Sequence, residues 1–228
     1  MKYLKTYEFN KPTIKSLPIG VDKNTLYSYV SFIANQLGEE LLQYKNIGSG
    51  QFGTAFMLKS GKVLKLTSDM LEAMTAYYLS DKNTEFVVNY YDVRRIVGSK
   101  DKNLYVIIMD YAEPVKMSEK EKYLWYLDEK YLDCDVDEFI KNMNYPWKIT
   151  ENVISYLKHF WYNMIGMLQE LKELGIKNAD IHSDNLGMIN GKMILFDVTG
   201  LYHRNEFKKK KREFYSIVPK LNVSKFFK

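Results

Sequence analysis

Asn190-Gly191 is the feature that most constrains how this chain can fold. The dipeptide lies between two short apolar segments, Leu186 to Ile189 and Lys192 to Phe196. Both of its residues tolerate positive φ, so it predicts a two-residue β-hairpin. That hairpin would carry Asn185 just before its first strand and Asp197 just after its second. An amide and a carboxylate then arrive at one end of a single ladder. The loop leading in, Asp180-Ile-His-Ser-Asp-Asn185, adds a second carboxylate from Asp180.

The pattern upstream divides the chain. Residues 1–40 read as an N-terminal extension, broken early by Pro12, Pro18 and Gly20. Leu26, Tyr29, Val30, Ile33 and Leu37 then recur at helical spacing, with Asn24 and Thr25 as candidate caps and Gly38 as the stop. Residues 41–111 read mainly as strands. Ser60-Gly61 marks a hairpin turn, Phe86 to Val97 is rich in Val, Tyr and Ile, and Gly98 to Asn103 is turn-like. Leu104 to Met109 is a continuous apolar run, as in a buried strand. Asp69 to Leu79 reads as a helix between these strands. Residues 112–228 begin with a mixed stretch to 149, read as short helices. The best helix of the chain starts at Thr150, with Val153, Leu157, Phe160, Trp161, Met164, Leu168 and Leu171 in one apolar stripe and Gly175 as its cap.

Composition narrows the class. The chain has 228 residues, 46% hydrophobic and 15% aromatic, enough for a sizeable core in one domain or two small lobes. A net charge of +5 suits an anionic ligand without requiring one. Cys134 is the single cysteine, which excludes an internal disulfide framework and favours the cytosol. His159, His182 and His203 show no metal-ligand spacing with it. No apolar run follows Lys2 and Lys5, so no signal peptide is expected, and no segment has the length of a membrane span.

The candidate chemistry is phosphoryl transfer from ATP. Asp180 would orient the attacking hydroxyl, and Asn185 and Asp197 would supply oxygen ligands for Mg²⁺. The structural alternative makes Asp180 and Asp184 turn residues and Asp197 a strand-end cap. Gly48-Ser-Gly50-Gln-Phe-Gly53 lies between two predicted strands, where glycines let backbone N–H groups approach phosphates. The competing dinucleotide-binding pattern needs a helix directly after the glycines, whereas Thr54 to Leu58 continues as strand. Lys65 is a charge inside the apolar Val63-Leu-Lys-Leu66. It either snorkels to solvent at a strand edge or holds ATP phosphates while paired with Glu72. Asp110-Tyr-Ala112 follows the buried strand and offers backbone groups to adenine, or is a plain linker. His182 either touches the γ-phosphate or steadies its loop. Lys208 to Arg212 is a basic run, read first as solvated surface and second as a patch for an acidic or phosphorylated partner.

In this order, the motifs resemble those of the protein-kinase-like superfamily, from Ile47 to Gly200. Ile47 to Phe56 looks like the glycine-rich loop, Val63-Leu-Lys65 like the third-strand lysine motif, and Glu72 like its helix partner. Leu104 to Ala112 looks like the fifth strand and hinge, with Met109 as gatekeeper. Asp180 to Asn185 looks like the catalytic loop, and Phe196-Asp-Val-Thr-Gly200 stands where the family has Asp-Phe-Gly. Some features depart from the pattern. Asn178-Ala179 replaces His-Arg before the catalytic Asp, the Ala-Pro-Glu motif is absent, and the residues after Asp197 are too few for a full activation segment. His182 is similar to the residue found in aminoglycoside-type kinases, and the compact chain is similar to small kinases encoded by bacteriophages.

The resemblance implies an α+β fold of two lobes: an antiparallel-sheet N-lobe at 41–111 and a minimal, mostly helical C-lobe at 112–228. It implies an ATP- and Mg²⁺-dependent kinase acting on serine or threonine hydroxyls of a protein substrate, in the cytoplasm, or the host cytoplasm if viral. Lys65, Glu72 and Asp180 would be catalytic. Gly48, Gly50, Gly53, Lys65, Asp110, Ala112 and His182 would bind nucleotide, and Asn185 and Asp197 the metal. The alternatives are a small-molecule kinase of the aminoglycoside-phosphotransferase type and a non-catalytic ATP-binding pseudokinase.

Overall fold

The structure, a computed structural model, describes residues 23–49, 53–99, 103–115, 151–176, 181, 185–198 and 204–227. Across them the chain is mixed α+β. In order it forms α1 (Lys23–Gln36), β1 (Leu41–Ser49), β2 (Gly53–Leu58), β3 (Val63–Thr67) and α2 (Met70–Leu79). Then come β4 (Tyr90–Val97), β5 (Leu104–Met109), β6 (Glu113–Pro114), α3 (Glu151–Glu173), β7 (Leu186–Ile189) and β8 (Lys192–Leu195). The chain closes with α4 (Arg204–Ile217), β9 (Lys220–Asn222) and a 3₁₀ turn at Ser224–Phe227. It divides into two compact units: Met1–Ala73 with Tyr91–Met109 and Val218–Lys228, and Met74–Tyr90 with Asp110–Ile217.

The first unit is built on a six-stranded sheet of order β1-β2-β3-β5-β4-β9. Neighbours from β1 to β5 run antiparallel, and β9 lies parallel to β4. Alternation along the strands sorts the side chains onto two faces. Phe56, Leu58, Leu64, Leu66, Leu104, Val106 and Ile108 share a core with Leu26, Tyr29, Val30, Ile33 and Ala34 of α1. The helix spacing read from the sequence is therefore the face that covers the sheet. Each fully buried Leu or Ile contributes roughly 1.5–3 kcal/mol.

The helix stop at Gly38 is a Schellman cap. Gly38 has φ +74°, its N–H donates to Asn35 O at 3.2 Å, and Glu39 N–H donates to Ala34 O at 3.0 Å. Asn24 and Thr25, expected as caps, instead lie within the first turn of α1. The residues Pro12, Pro18 and Gly20 lie outside the described residues. Residues 1–40 were expected as an extension, but α1 is part of the sheet's core. The tail also departs from expectation. Residues from Val218 onward join this sheet: Arg95 N–H donates to Pro219 O at 2.8 Å and Val223 N–H to Val97 O at 2.9 Å. Leu221 and Val223 are buried in the same core. A three-residue strand carries too little pattern to be seen in sequence, and its partner lies more than a hundred residues upstream.

The second unit contains α3, α4 and a three-stranded sheet of order β6-β7-β8. Trp161, Met164, Met167, Leu168 and Leu171 make the buried stripe of α3. Gly175 (φ +69°) ends it by a second Schellman cap, with Ile176 N–H on Leu171 O at 2.8 Å and Gly175 N–H on Lys172 O at 3.0 Å. The Asn190-Gly191 turn forms as the sequence predicts, with φ of 51° and 79° and Ile189 opposite Lys192. The short helices expected before residue 150 lie outside the described residues apart from β6, which pairs with β7. Of the stretch Phe86 to Val97, read as strand, Tyr90–Val97 forms one, and before it Val87 makes a parallel bridge to Leu195.

Candidate functional site

Lys65 stands opposite Ala55 on β2 and Ile107 on β5, in a strand with neighbours on both sides. The strand-edge reading of this lysine therefore does not hold. Lys65 lies on the sheet face turned away from α1. Its side chain is 15% exposed and forms an ion pair with Glu72, which is 6% exposed. Two nearly buried opposite charges compensate each other where either alone would be costly. Glu72 is placed by the start of α2: Asp69 accepts from Leu71 N–H at 2.8 Å and from Glu72 N–H at 3.4 Å, capping the helix. Asp69 N–H in turn donates to Thr67 Oγ1 at 3.0 Å. The connection from β3 to α2 is thus a capped turn.

The glycine segment joins two antiparallel strands, not a strand and a helix. Gly48 pairs with Ala55, and Gly53 pairs with Thr67. Gly53 has a steric reason to be glycine: a Cβ there would lie 2.7 Å from Leu66 O and 3.4 Å from Lys65 Cε. The start of β2 therefore presses directly on the strand that carries Lys65. Gly50 lies outside the described residues.

In the second unit the hairpin brings Asn185 and Asp197 to its open end. Leu186 pairs with Leu195, and Phe196 N–H donates to Asn185 O at 2.9 Å. Both side chains are half-buried. An amide oxygen and a carboxylate are hard donors of the kind Mg²⁺ takes, so this pair fits the expected ion. Among the described residues no group of three or more His, Cys, Asp and Glu gathers as a metal site. Asp180 and His182 lie outside the described residues.

Asp110 and Ala112 are held rather than loose. Asp110 N–H donates to Asn89 O at 3.0 Å, and Asn89 Nδ2 donates to Asp110 Oδ2 at 2.9 Å. The Asp110 N–H is thereby engaged within the protein. Ala112 is buried against β7, where a Cβ on Gly187 would meet the Ala112 methyl at 2.6 Å. Val115 N–H donates to Leu186 O at 3.3 Å, so this segment adds itself to the hairpin sheet. The plain-linker reading of 110–112 is thereby set aside.

Several residues around this site escaped the sequence reading. Asn89 and Glu170 bear on it through contacts distant in sequence, and Thr84 through a local contact with Asn89. The basic run falls on α4. Lys209 and Arg212 are exposed, Lys210 pairs with Glu213 at 3.3 Å, and the Lys211 ammonium lies 5.7 Å from the Tyr215 ring centre. Phe214, on the inner side of α4, packs edge-on against Tyr77 at 5.7 Å. The side chain of Lys208 lies outside the described ones.

No protein-family model matches the chain, and no curated protein matches it. No helix among the described residues is long and apolar enough to cross a membrane.

Proposed function

We propose that this protein is an ATP- and Mg²⁺-dependent phosphotransferase of the protein-kinase-like fold, its two units being the two lobes. The observation that carries the reading is the Lys65–Glu72 pair, held in the middle of a sheet beside the strand that begins at Gly53. A lysine this withdrawn from solvent, oriented by a capped helix, has the form of a phosphate-binding cation. The amide and carboxylate at the hairpin end provide the second half of the requirement.

In this reading Lys65 holds the ATP phosphates and Glu72 keeps its ammonium oriented. Asn185 and Asp197 would hold Mg²⁺, which supplies charge neutralisation at the β- and γ-phosphates. Asp180 accepts the proton of the acceptor hydroxyl. The hydroxyl oxygen forms a bond to the γ-phosphorus, the bond from that phosphorus to the β,γ-bridging oxygen breaks, and ADP leaves. Positioning and electrostatics supply most of the rate in such a transfer. The acceptor class we favour is a serine or threonine hydroxyl of a protein.

Incubation with γ-labelled ATP and Mg²⁺, with and without cell lysate, tests the reading. Label on protein bands is expected. Label only in small molecules would move the assignment to a small-molecule kinase. Nucleotide binding without transfer would move it to a pseudokinase. Asp180→Asn is expected to keep ATP binding while lowering transfer by orders of magnitude, and a variant with wild-type turnover would refute the role of Asp180.

A further inference from the structure

The segment from Thr84 to Asn89 touches both halves of the hairpin-side site, and the sequence gives no reason for it to do so. At its start, Glu170 of α3 accepts hydrogen bonds from the N–H groups of Glu85 and Phe86, the second at 2.7 Å. The Phe86 ring fills the space over Gly166, one turn earlier on α3, where a Cβ would come within 2.3 Å of it. Lys192 of β8 pairs with Glu85 and sets its ammonium 4.8 Å from the centre of the Phe86 ring. In its middle the segment runs beside β8: Leu195 N–H donates to Phe86 O at 2.8 Å, and Val88 N–H donates to Leu195 O at 2.9 Å. Leu195 is two residues before Asp197. At its end Asn89 holds Asp110 by the two hydrogen bonds already described. The Thr84 hydroxyl lies 2.8 Å from Val87 O and 3.2 Å from Asn89 Oδ1, so its single proton is shared between a carbonyl and the Asn89 amide oxygen.

From this geometry we infer that Asn89 is a positioning residue for nucleotide, and that Thr84–Asn89 is a brace setting the adenine-facing backbone at Asp110 in register with Asp197. The inference rests on the nucleotide reading above. Its physical basis is pre-organisation. The Asp110 carbonyl can accept from an adenine amine at a lower entropic cost when residue 110 is already held in place. Asn89 holds residue 110 at two points: its carbonyl takes the N–H of the peptide entering Asp110, and its amide donates to the Asp110 carboxylate. A purely structural asparagine would stabilise the fold without distinguishing one part of a nucleotide from another.

Two ligands that each report one half of the site separate these cases. Adenosine probes the Asp110 side, and Mg²⁺ with inorganic tripolyphosphate probes the metal side. Their affinities, measured by calorimetry on full-length wild type, Asn89→Leu and the milder Thr84→Val, give the test. Asn89→Leu is expected to weaken adenosine roughly five- to tenfold, the loss that goes with about one hydrogen bond, and to leave tripolyphosphate within twofold. Thr84→Val is expected to shift adenosine in the same direction by a smaller factor, and it guards against an Asn89→Leu chain that does not fold. Unchanged adenosine affinity in a folded variant overturns the inference. Equal loss of both ligands overturns it as well, since that is the mark of general destabilisation. A wild-type protein that binds neither ligand overturns the nucleotide reading, and this inference with it.

Discussion

At Lys65 the energetic and the functional demands can be pulled apart by substitution. Lys65→Met leaves the Glu72 carboxylate buried without its ammonium, which costs about 3–5 kcal/mol. The double variant Lys65→Met/Glu72→Leu removes both charges and is expected to regain most of that stability in denaturant melts. Thermal shift by millimolar Mg·ATP should stay lost in both, because stabilisation by a ligand requires its binding group. Recovery of the Mg·ATP shift in the double variant would show that the pair is structural. Gly53 gives a second residue-scale expectation. A methyl there meets the Leu66 carbonyl at 2.7 Å, a backbone atom that cannot rotate away. Gly53→Ala should lower stability by about 1–3 kcal/mol, read as a fall in the denaturant midpoint.

At the scale of elements, α1 supplies the helical side of the core on one face of the six-stranded sheet. Ile33 is fully buried, and truncation to Ala leaves a cavity between helix and sheet. Ile33→Ala is expected to cost about 2–5 kcal/mol in equilibrium unfolding. Tyr162, 71% exposed on α3, is the control and should change stability by no more than about 0.5 kcal/mol as Ala. The helix ends repeat one device. Gly38 and Gly175 both take positive φ and both close Schellman caps, so the two sequence stops mark real ends. Asp69 shows the matching device at a start, spanning the capped turn that delivers Glu72 opposite Lys65.

The whole molecule depends on its last residues in a way that only distant pairing explains. β9 covers β4, and Phe226 and Phe227 pack against Tyr29 of α1 at 5.1 and 5.7 Å. Ending the chain after Ile217 would uncover the β4 edge and part of the α1 core, an invitation to aggregation. Hydrogen exchange locates the effect. The Arg95 amide, bonded to Pro219 O in the full chain, should lose protection in the truncated one, while the Leu195 amide, bonded to Phe86 O, should keep it. Equal protection of Arg95 in both chains would mean that β9 does not hold that edge.

Local chemistry in the sequence determined a good part of this molecule. Asn-Gly specified a hairpin because its two residues accept the positive φ that such a turn needs. Ser60-Gly61, Gly38 and Gly175 set ends for the same reason. The helical period of Leu26 to Ile33 picked out the face that meets the sheet, and the ladder placed Asn185 near Asp197 because a hairpin closes over few residues. Tertiary structure alone decided what lies far apart in the chain. A charge in an apolar strand reads identically at an edge and at a centre. Only the neighbours β2 and β5 made Lys65 central, and only the turn at Asp69 brought Glu72 to it. The placement of β9 beside β4, the grip of Glu170 on Phe86 and the hold of Asn89 on Asp110 follow no local period. Each joins segments whose spacing in sequence is arbitrary, and the packed fold supplies the contact that makes one choice better than the rest.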